Sequence, residues 1–222
     1  MSSSEIFPST ILIALILITG YTCLHIYTYY HSTLMVFTEV NEIKSFFKEL
    51  VNTIYLGNTI SRIFSFRYGV LEFTVDGFQA LTIANETIFS NFMIILRYVC
   101  YYTIYPYFDT IIEHGNYTYF SYLIIGNGNC LTLYLRPVLT MKNNSLFIGA
   151  VIFDITSSMK IVNGKYLFKP IVNVVNRIYN FFKPLNIHLI YSKHSYRYGF
   201  NVSQNFPIAL SCTLILVKVL GG

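Results

Sequence analysis

Residues 1–56 constrain this chain most, because an uncharged apolar run continues into an amphipathic stretch without a helix-breaking signal. The apolar run extends from Pro8 to Tyr30, and residues 6–38 contain no Asp, Glu, Lys or Arg. About 20 apolar residues in a helix span the roughly 30 Å hydrocarbon core of a bilayer. A cleaved signal peptide is the competing interpretation, but it usually has a basic start and a small-residue cleavage site. Residues 1–5 carry no basic side chain, so an uncleaved membrane anchor is favoured.

The stretch from Leu34 to Leu56 has the periodicity of an amphipathic helix. Apolar residues recur at steps of three and four, which predicts one apolar packing stripe. The predicted stripe consists of Leu34, Phe37, Val40, Ile43, Phe47, Leu50, Val51 and Ile54. Gly57 suits the end of this helix, since glycine accepts the left-handed conformation found there. A continuous helix from Pro8 to Leu56 would be about 74 Å long, so the stripe needs a packing partner outside the lipid.

The residues after this helix favour strands. The chain is 54% hydrophobic and 18% aromatic, and branched and aromatic side chains fit a pleated, half-buried surface. Asp76-Gly77 lies between two alternating apolar segments and predicts a two-residue hairpin turn, and Asn163-Gly164 predicts a second one. The helical period between Pro170 and Pro184 predicts one short helix packed on the sheet.

These patterns predict an α+β fold. A long N-terminal helix, transmembrane and then amphipathic, is followed by a mainly antiparallel β-sandwich-like domain with one short helix. The predicted organisation is an anchor and stalk over residues 1–56 and a β-rich domain over residues 57–222. The apolar run from Ile208 to Leu220 has about 13 residues and contains Lys218, so a core strand is favoured over a second membrane span.

Four N-glycosylation patterns follow the anchor, at Asn85, Asn116, Asn143 and Asn201. They favour a single-pass protein of the cell membrane with residues 57–222 facing the exterior, although such tripeptides also arise by chance in a chain rich in Asn, Ser and Thr. Cys100 and Cys130 are the plausible disulfide pair of an exported domain, and two buried free thiols are the equally weighted alternative.

Signatures of an enzyme or of a cofactor are missing from the sequence. There is no G-x-S-x-G elbow, no P-loop and no H-E-x-x-H motif, so we expect no enzyme, no cofactor and no metal site. Gly126-Asn127-Gly128 lacks a third glycine and is interpreted as a turn. Asp109 and Glu113 are interpreted as a solvated acidic edge, in preference to a pair for general acid and base catalysis.

Partners are constrained by charge and aromatic content. The net charge of +5 is dispersed along the chain and forms no basic block, so nucleic acid is not expected as a partner. An aromatic cluster favours sheet core and edge positions, with stacking on sugars as the alternative. The cluster consists of Tyr98, Tyr101, Tyr102, Tyr105, Tyr107 and Phe108.

Two parts of the chain resemble a known family. The clearer part is the N-terminal helix, with Ser4-Glu5 followed by the apolar segment from Ile11 to Gly20. The looser part is the strand and Gly/Asn-turn character of Arg62 to Ile155. The chain resembles the archaeal type IV pilin-like proteins, which include minor pilins and the stator subunits of the archaellum. In that family the apolar half-helix stays in the membrane or packs with copies of itself, and the β domain faces outward and is often glycosylated. Residues 1–8 lack the basic residue and the Gly of a prepilin leader, which favours a permanently anchored relative of the stator type.

The resemblance implies a structural or interaction component of a type IV pilus-like or archaellum-associated assembly. Its expected partners are the membrane, copies of itself and other pilin-like or surface proteins. The alternative is an anchored adhesion or binding module of a cell or virus envelope that recognises carbohydrate or a surface layer.

Overall fold

The computed structural model describes residues 3–83, 86–142, 145–155, 159–180, 185–191, 194–200 and 207–221. Within these ranges the chain forms one helix, α1 (Ser3–Leu56), and twelve strands. The strands are β1 (Ile60–Ser65), β2 (Gly69–Ile83), β3 (Glu86–Cys100), β4 (Thr110–Asn116), β5 (Phe120–Asn127), β6 (Cys130–Lys142), β7 (Ser145–Asp154), β8 (Met159–Ile161), β9 (Asn163–Asn180), β10 (Leu185–Tyr191), β11 (His194–Phe200) and β12 (Pro207–Gly221). The predicted α+β class is confirmed, with one long N-terminal helix followed by a mainly antiparallel sheet.

The sheet follows the order β1-β9-β12-β7-β6-β3-β2-β10-β11, with β4 and β5 attached beside β6 and with β8 beside β2. Strand β6 connects its two parts: residues 130–137 pair with β5, whereas residues 138–142 pair with β7. All neighbours are antiparallel except β7 and β12, which run parallel. The C-terminal strand β12 therefore lies between β7 and β9, and the predicted core strand at Ile208 to Leu220 is confirmed.

The chain divides into two compact units, Met1–Glu42 and Ile43–Gly222. The boundary between them falls inside α1 and not at its end. In the first unit every side chain from Ile11 to His31 is exposed, and most of these side chains are apolar. By length and composition, α1 is long and apolar enough to cross a membrane.

In the second unit the last turns of α1 pack on the sheet. The Phe46 ring centroid lies 5.0 Å from that of Phe64 on β1 and 5.3 Å from that of Phe168 on β9. Gly57 ends the helix with φ 69°, and the N–H groups of Gly57 and Asn58 donate to the carbonyl oxygens of Ile54 and Thr53. The predicted helix end is confirmed, because these bonds satisfy carbonyl groups that have no partner inside the helix.

The buried stripe of α1 differs in part from the predicted one. Its central members recur at alternating steps of four and three, namely Val36, Val40, Ile43, Phe47, Leu50 and Ile54, and Phe46 and Val51 are buried beside them. Leu34 and Phe37 do not belong to it, since their side chains are 66% and 51% exposed. Each residue of a helix turns by about 100°, so Phe37 points away from the direction set by Val36 and Val40.

Three local predictions were wrong. Asp76-Gly77 forms no hairpin, because β2 runs on from Gly69 to Ile83 and the pairing with β3 shifts between Val75 and Gly77 in a β-bulge. Asn163-Gly164 forms no hairpin either, because β8 pairs with β2 while β9 pairs with β1. Residues 170–180, predicted as a short helix, continue β9, because pairing along the whole length of β12 outweighs their helical period. Residues 181–184 lie outside the described residues.

Candidate binding site

A tyrosine-rich loop, residues 101–109, follows β3 and is held against the turn between β5 and β6. The N–H groups of Ile104 and Tyr105 both donate to the Gly128 carbonyl oxygen, at 2.9 and 2.8 Å. The Gly128 N–H donates in return to the Pro106 carbonyl oxygen at 2.8 Å. Three backbone hydrogen bonds thus fix this loop on a turn that the sequence predicted correctly, and Gly128 adopts a positive φ of 56° there.

The glycines of this turn make room for two rings. A Cβ on Gly126 would lie 2.5 Å from the ring of Tyr105, and one on Gly128 would lie 3.1 Å from the ring of Tyr107. Burial raises the pKa of Tyr105, whereas the Tyr107 side chain is 82% exposed. The hydroxyl of Tyr107 also shares a 3.0 Å hydrogen bond with the hydroxyl of Thr103. Tyr107 is therefore an exposed ring in a fixed position.

Beside Tyr107 lies a cleft of about 290 Å³, which we call the Tyr107 cleft. Its floor is one face of β3, β5 and β6, where the register pairs Arg97 with Thr132 and Thr132 with Ile125. Its polar lining residues are Arg97, Asp109, Asn127, Asn129, Thr132 and Tyr134. The cleft therefore combines one exposed aromatic face with both hydrogen-bond donors and hydrogen-bond acceptors.

The polar groups of the cleft are mostly oriented by each other. Asn127 Nδ2 donates to Asp109 Oδ1 at 2.7 Å, and Asn129 Nδ2 donates to the Cys100 carbonyl oxygen at 2.8 Å. Arg97 Nε is buried and has no hydrogen-bond partner among the described residues. Burial of a donor without an acceptor costs roughly 1–3 kcal/mol, so this nitrogen lowers the stability of the folded domain.

The ionisation of Tyr134 reflects the same mixed surroundings. Burial raises the pKa of its phenol, the negative charges of Asp76 and Asp109 add to this rise, and Arg97 opposes it by charge and by a hydrogen bond. Tyr134 is therefore a neutral hydroxyl at physiological pH.

Asp109 and Glu113 are not brought together as a catalytic pair. Thr110–Asn116 forms β4, and the two carboxylates have different partners. Asp109 accepts from Asn127 at the Tyr107 cleft, whereas Glu113 contacts Lys48 of α1 and Tyr122 of β5. Of the aromatic cluster, Tyr98 is buried in the core, while Tyr101, Tyr102, Tyr107 and Phe108 are exposed.

Of the two alternatives for Cys100 and Cys130, the structure has the one without a disulfide bond between them. Val99 pairs with Cys130, so Cys100 and Cys130 are offset by one residue on neighbouring strands and their side chains leave opposite faces of the sheet. Cys100 is buried in the core, and the Cys130 thiol donates to Asn129 Oδ1 at 3.4 Å.

Of the four glycosylation candidates, Asn116 is exposed at the end of β4, where it pairs with Ser121. Asn85, Asn143 and Asn201 lie outside the described residues.

A second cavity, of about 610 Å³, lies over the sheet at β6, β7, β9 and β12. Phe147 and Val174 give it an apolar part, and Thr140, Ser211 and Thr213 give it hydroxyl groups. Next to it, β9 exposes Val172, Val174 and Ile178 on one face. This part of the sheet is an exposed apolar surface, which in other proteins often marks a contact with a partner.

Sequence reasoning missed Arg97, Thr132 and Tyr134, because only the strand register brings them to one cleft. The available signal was a single arginine inside the apolar stretch Ile94 to Val99.

Fold and site define a class of protein: an α+β chain with one helix able to cross a membrane and a β-rich domain with a polar, aromatic-walled cleft. Comparisons with family models, with curated proteins and with solved structures find no match to this chain.

Proposed function

We propose that the chain is a single-pass membrane protein whose β-rich domain faces the exterior and takes part in a pilus-like or archaellum-associated assembly. The observation that carries the anchoring is the exposure of α1 from Ile11 to His31, a segment without any charged side chain. Apolar side chains on all sides of a helix are stable in lipid and costly in water.

Assembly is supported by apolar surface that a bilayer does not account for. Leu34 and Phe37 stay exposed beyond the apolar run that ends at Tyr30, and β9 and β7 expose Val172, Val174 and Phe147. Patches of this kind in other proteins are often covered by partners. We propose that copies of this chain, or related surface proteins, cover them.

The exterior location rests on the exposed sequon at Asn116 and agrees with the resemblance to outward-facing pilin-like domains. Glycan attached there would extend from the strand end into solvent. Mass spectrometry of the peptide that contains Asn116 tests this, because a glycan mass on that peptide requires export.

Shearing of cells that produce the chain tests anchoring and assembly together. Sheared filaments and membranes are separated by centrifugation and immunoblotted for the chain, and N-terminal peptides are read by mass spectrometry. Recovery in filaments with a shortened N-terminus supports a filament subunit. Retention in the membrane, resistant to alkaline carbonate, supports a fixed anchor of the stator type, whereas release by carbonate contradicts a membrane span altogether.

A second candidate function is an anchored adhesion or binding module, favoured by the Tyr107 cleft. In this cleft a fixed and exposed aromatic ring lies beside Asp109, Asn127 and Arg97. An open ring next to hydrogen-bonding side chains is typical of a binding site and is not needed for packing of the sheet. Both functions are compatible in one surface protein.

A further inference from the structure

We propose that the Tyr107 cleft binds one neutral pyranose unit of a glycan, an inference that deepens the second candidate function and rests on it. The exposed Tyr107 ring supplies the stacking surface. The C–H groups on one face of a pyranose carry partial positive charge, and the face of an aromatic ring carries partial negative charge, so the two attract. Gly128 and Thr103 hold this ring before any ligand arrives, which lowers the entropy cost of binding.

The hydrogen-bonding groups of the cleft match sugar hydroxyls, which both donate and accept. Asp109 offers acceptors, Arg97 offers donors, and Thr132 offers both. Asn127 holds the Asp109 carboxylate in place at 2.7 Å.

Charge and size narrow the ligand to a single uncharged sugar. Arg97 and Asp109 line the same cleft and have opposite charges, so an acidic sugar gains from one and loses to the other. The cleft volume of about 290 Å³ is just below the volume of about 300 Å³ at which the range of small-molecule pockets begins, so it suits one sugar unit. A longer glycan would extend from the cleft across the exposed ring.

Saturation-transfer NMR on the full chain in lipid nanodiscs tests the proposal. The probes are the methyl glycosides of glucose, galactose, mannose and N-acetylglucosamine, with methyl glucuronide as the charged comparison. We expect saturation transfer to at least one neutral glycoside with a Kd of about 1 mM, the range for so small a ligand. The strongest transfer should fall on the protons of one sugar face.

Variants assign the binding to the cleft. Tyr107→Ala should weaken the bound glycoside about tenfold, because the stacking face is lost. Tyr107→Phe should keep binding within about threefold, since the ring remains. Asp109→Asn should also weaken binding, because the carboxylate acceptor for sugar hydroxyls is lost. Tyr101→Ala is the matched control, because it removes an exposed aromatic ring outside the cleft lining.

Two results would overturn the proposal: no saturation transfer to any neutral glycoside, or binding by Tyr107→Ala that equals binding by the parent chain. Tighter binding of the glucuronide than of the matching glucoside would overturn the choice of a neutral ligand. Thermal unfolding of each variant shows whether the domain is intact. Carbonate extraction of the same chains reports on anchoring alone, so failure to bind sugar is distinguishable from failure of the membrane proposal.

Discussion

Lys48 Nζ on α1 lies 2.6 Å from Glu113 Oε2 on β4. The hydroxyl of Tyr122 on β5 donates to the other oxygen of the same carboxylate at 3.1 Å. Four residues further along the helix, Asn52 Oδ1 accepts from the hydroxyl of Tyr117, whose ring lies 4.6 Å from that of Tyr55. Polar and aromatic contacts thus fix the end of α1 to the β4–β5 hairpin, beside its apolar contacts with β1 and β9.

Glu113→Gln should lower the free energy of unfolding at neutral pH by up to about 1 kcal/mol, as for other partly exposed ion pairs. Burial alone would raise the pKa of Glu113, but the hydrogen bonds from Lys48 and Tyr122 and the charges of Lys48 and Lys44 outweigh it and lower the pKa. A lowered folded-state pKa gives stability that is present above the unfolded value of about 4.3 and lost as the pH falls through the folded value.

Denaturant unfolding of the full chain in detergent, followed from pH 7 down to pH 3, measures this effect. The difference between the parent and Glu113→Gln should shrink as the pH falls below about 4.3. Lys160→Met is the control, because Lys160 Nζ lies 4.0 Å from Glu72 and its side chain is largely exposed. A difference that stays constant with pH would show that Lys48 and Glu113 do not interact through charge.

No disulfide should link Cys100 and Cys130 in the purified chain. Denaturation without reductant followed by alkylation should modify all four cysteines, as read by intact mass. Under native conditions near neutral pH, Cys130 and Cys212 should react slowly, because burial raises the pKa of both thiols, that of Cys212 to about 11. Failure to modify Cys100 and Cys130 together in the denatured chain would contradict the register between β3 and β6.

The helix was predictable from sequence because its signal is local. Absence of charge, a three- and four-residue period and Gly57 at the end are all read within one segment. Asp76-Gly77 shows the limit, since the same dipeptide forms a turn or a β-bulge according to how far β3 pairs alongside it. Residues 170–180 show it again: their helical period was overruled by β12, which pairs with them from a part of the sequence that no local pattern connects to β9.

The Tyr107 cleft was predictable only in fragments. The Tyr-rich loop and the Gly-Asn-Gly turn were recognised separately, but their contact depends on hydrogen bonds between residues more than 20 positions apart. Arg97 and Tyr134 enter the cleft through strand register, which a one-residue slip would reverse.

Gly149→Ala should destabilise the β-rich domain by about 3 kcal/mol, at the upper end for overpacking. Gly149 lies on β7, and a Cβ there would overlap the backbone carbonyl of Tyr119 in the β4–β5 turn, which cannot move as a side chain can. Thermal unfolding measures the loss, roughly 10 °C for a unit of this size. Gly20→Ala, which meets nothing within 4 Å, is the control and should leave the midpoint unchanged. A Gly149→Ala chain as stable as the parent would place the β4–β5 turn elsewhere.

Leu34→Glu and Phe37→Glu together should abolish assembly without unfolding the domain. Both side chains are exposed and lie outside the buried stripe, so a charge there costs little within the chain but opposes apolar contacts with another helix. Asn41→Glu is the control, since it adds one negative charge at an exposed polar position of α1. The shear assay measures the amount of the chain recovered in filaments, and cross-linking of membranes measures the amount of the chain in oligomers. Undiminished assembly by the double variant would rule out this part of α1 as the contact and turn attention to the apolar face of β9 at Val172, Val174 and Ile178.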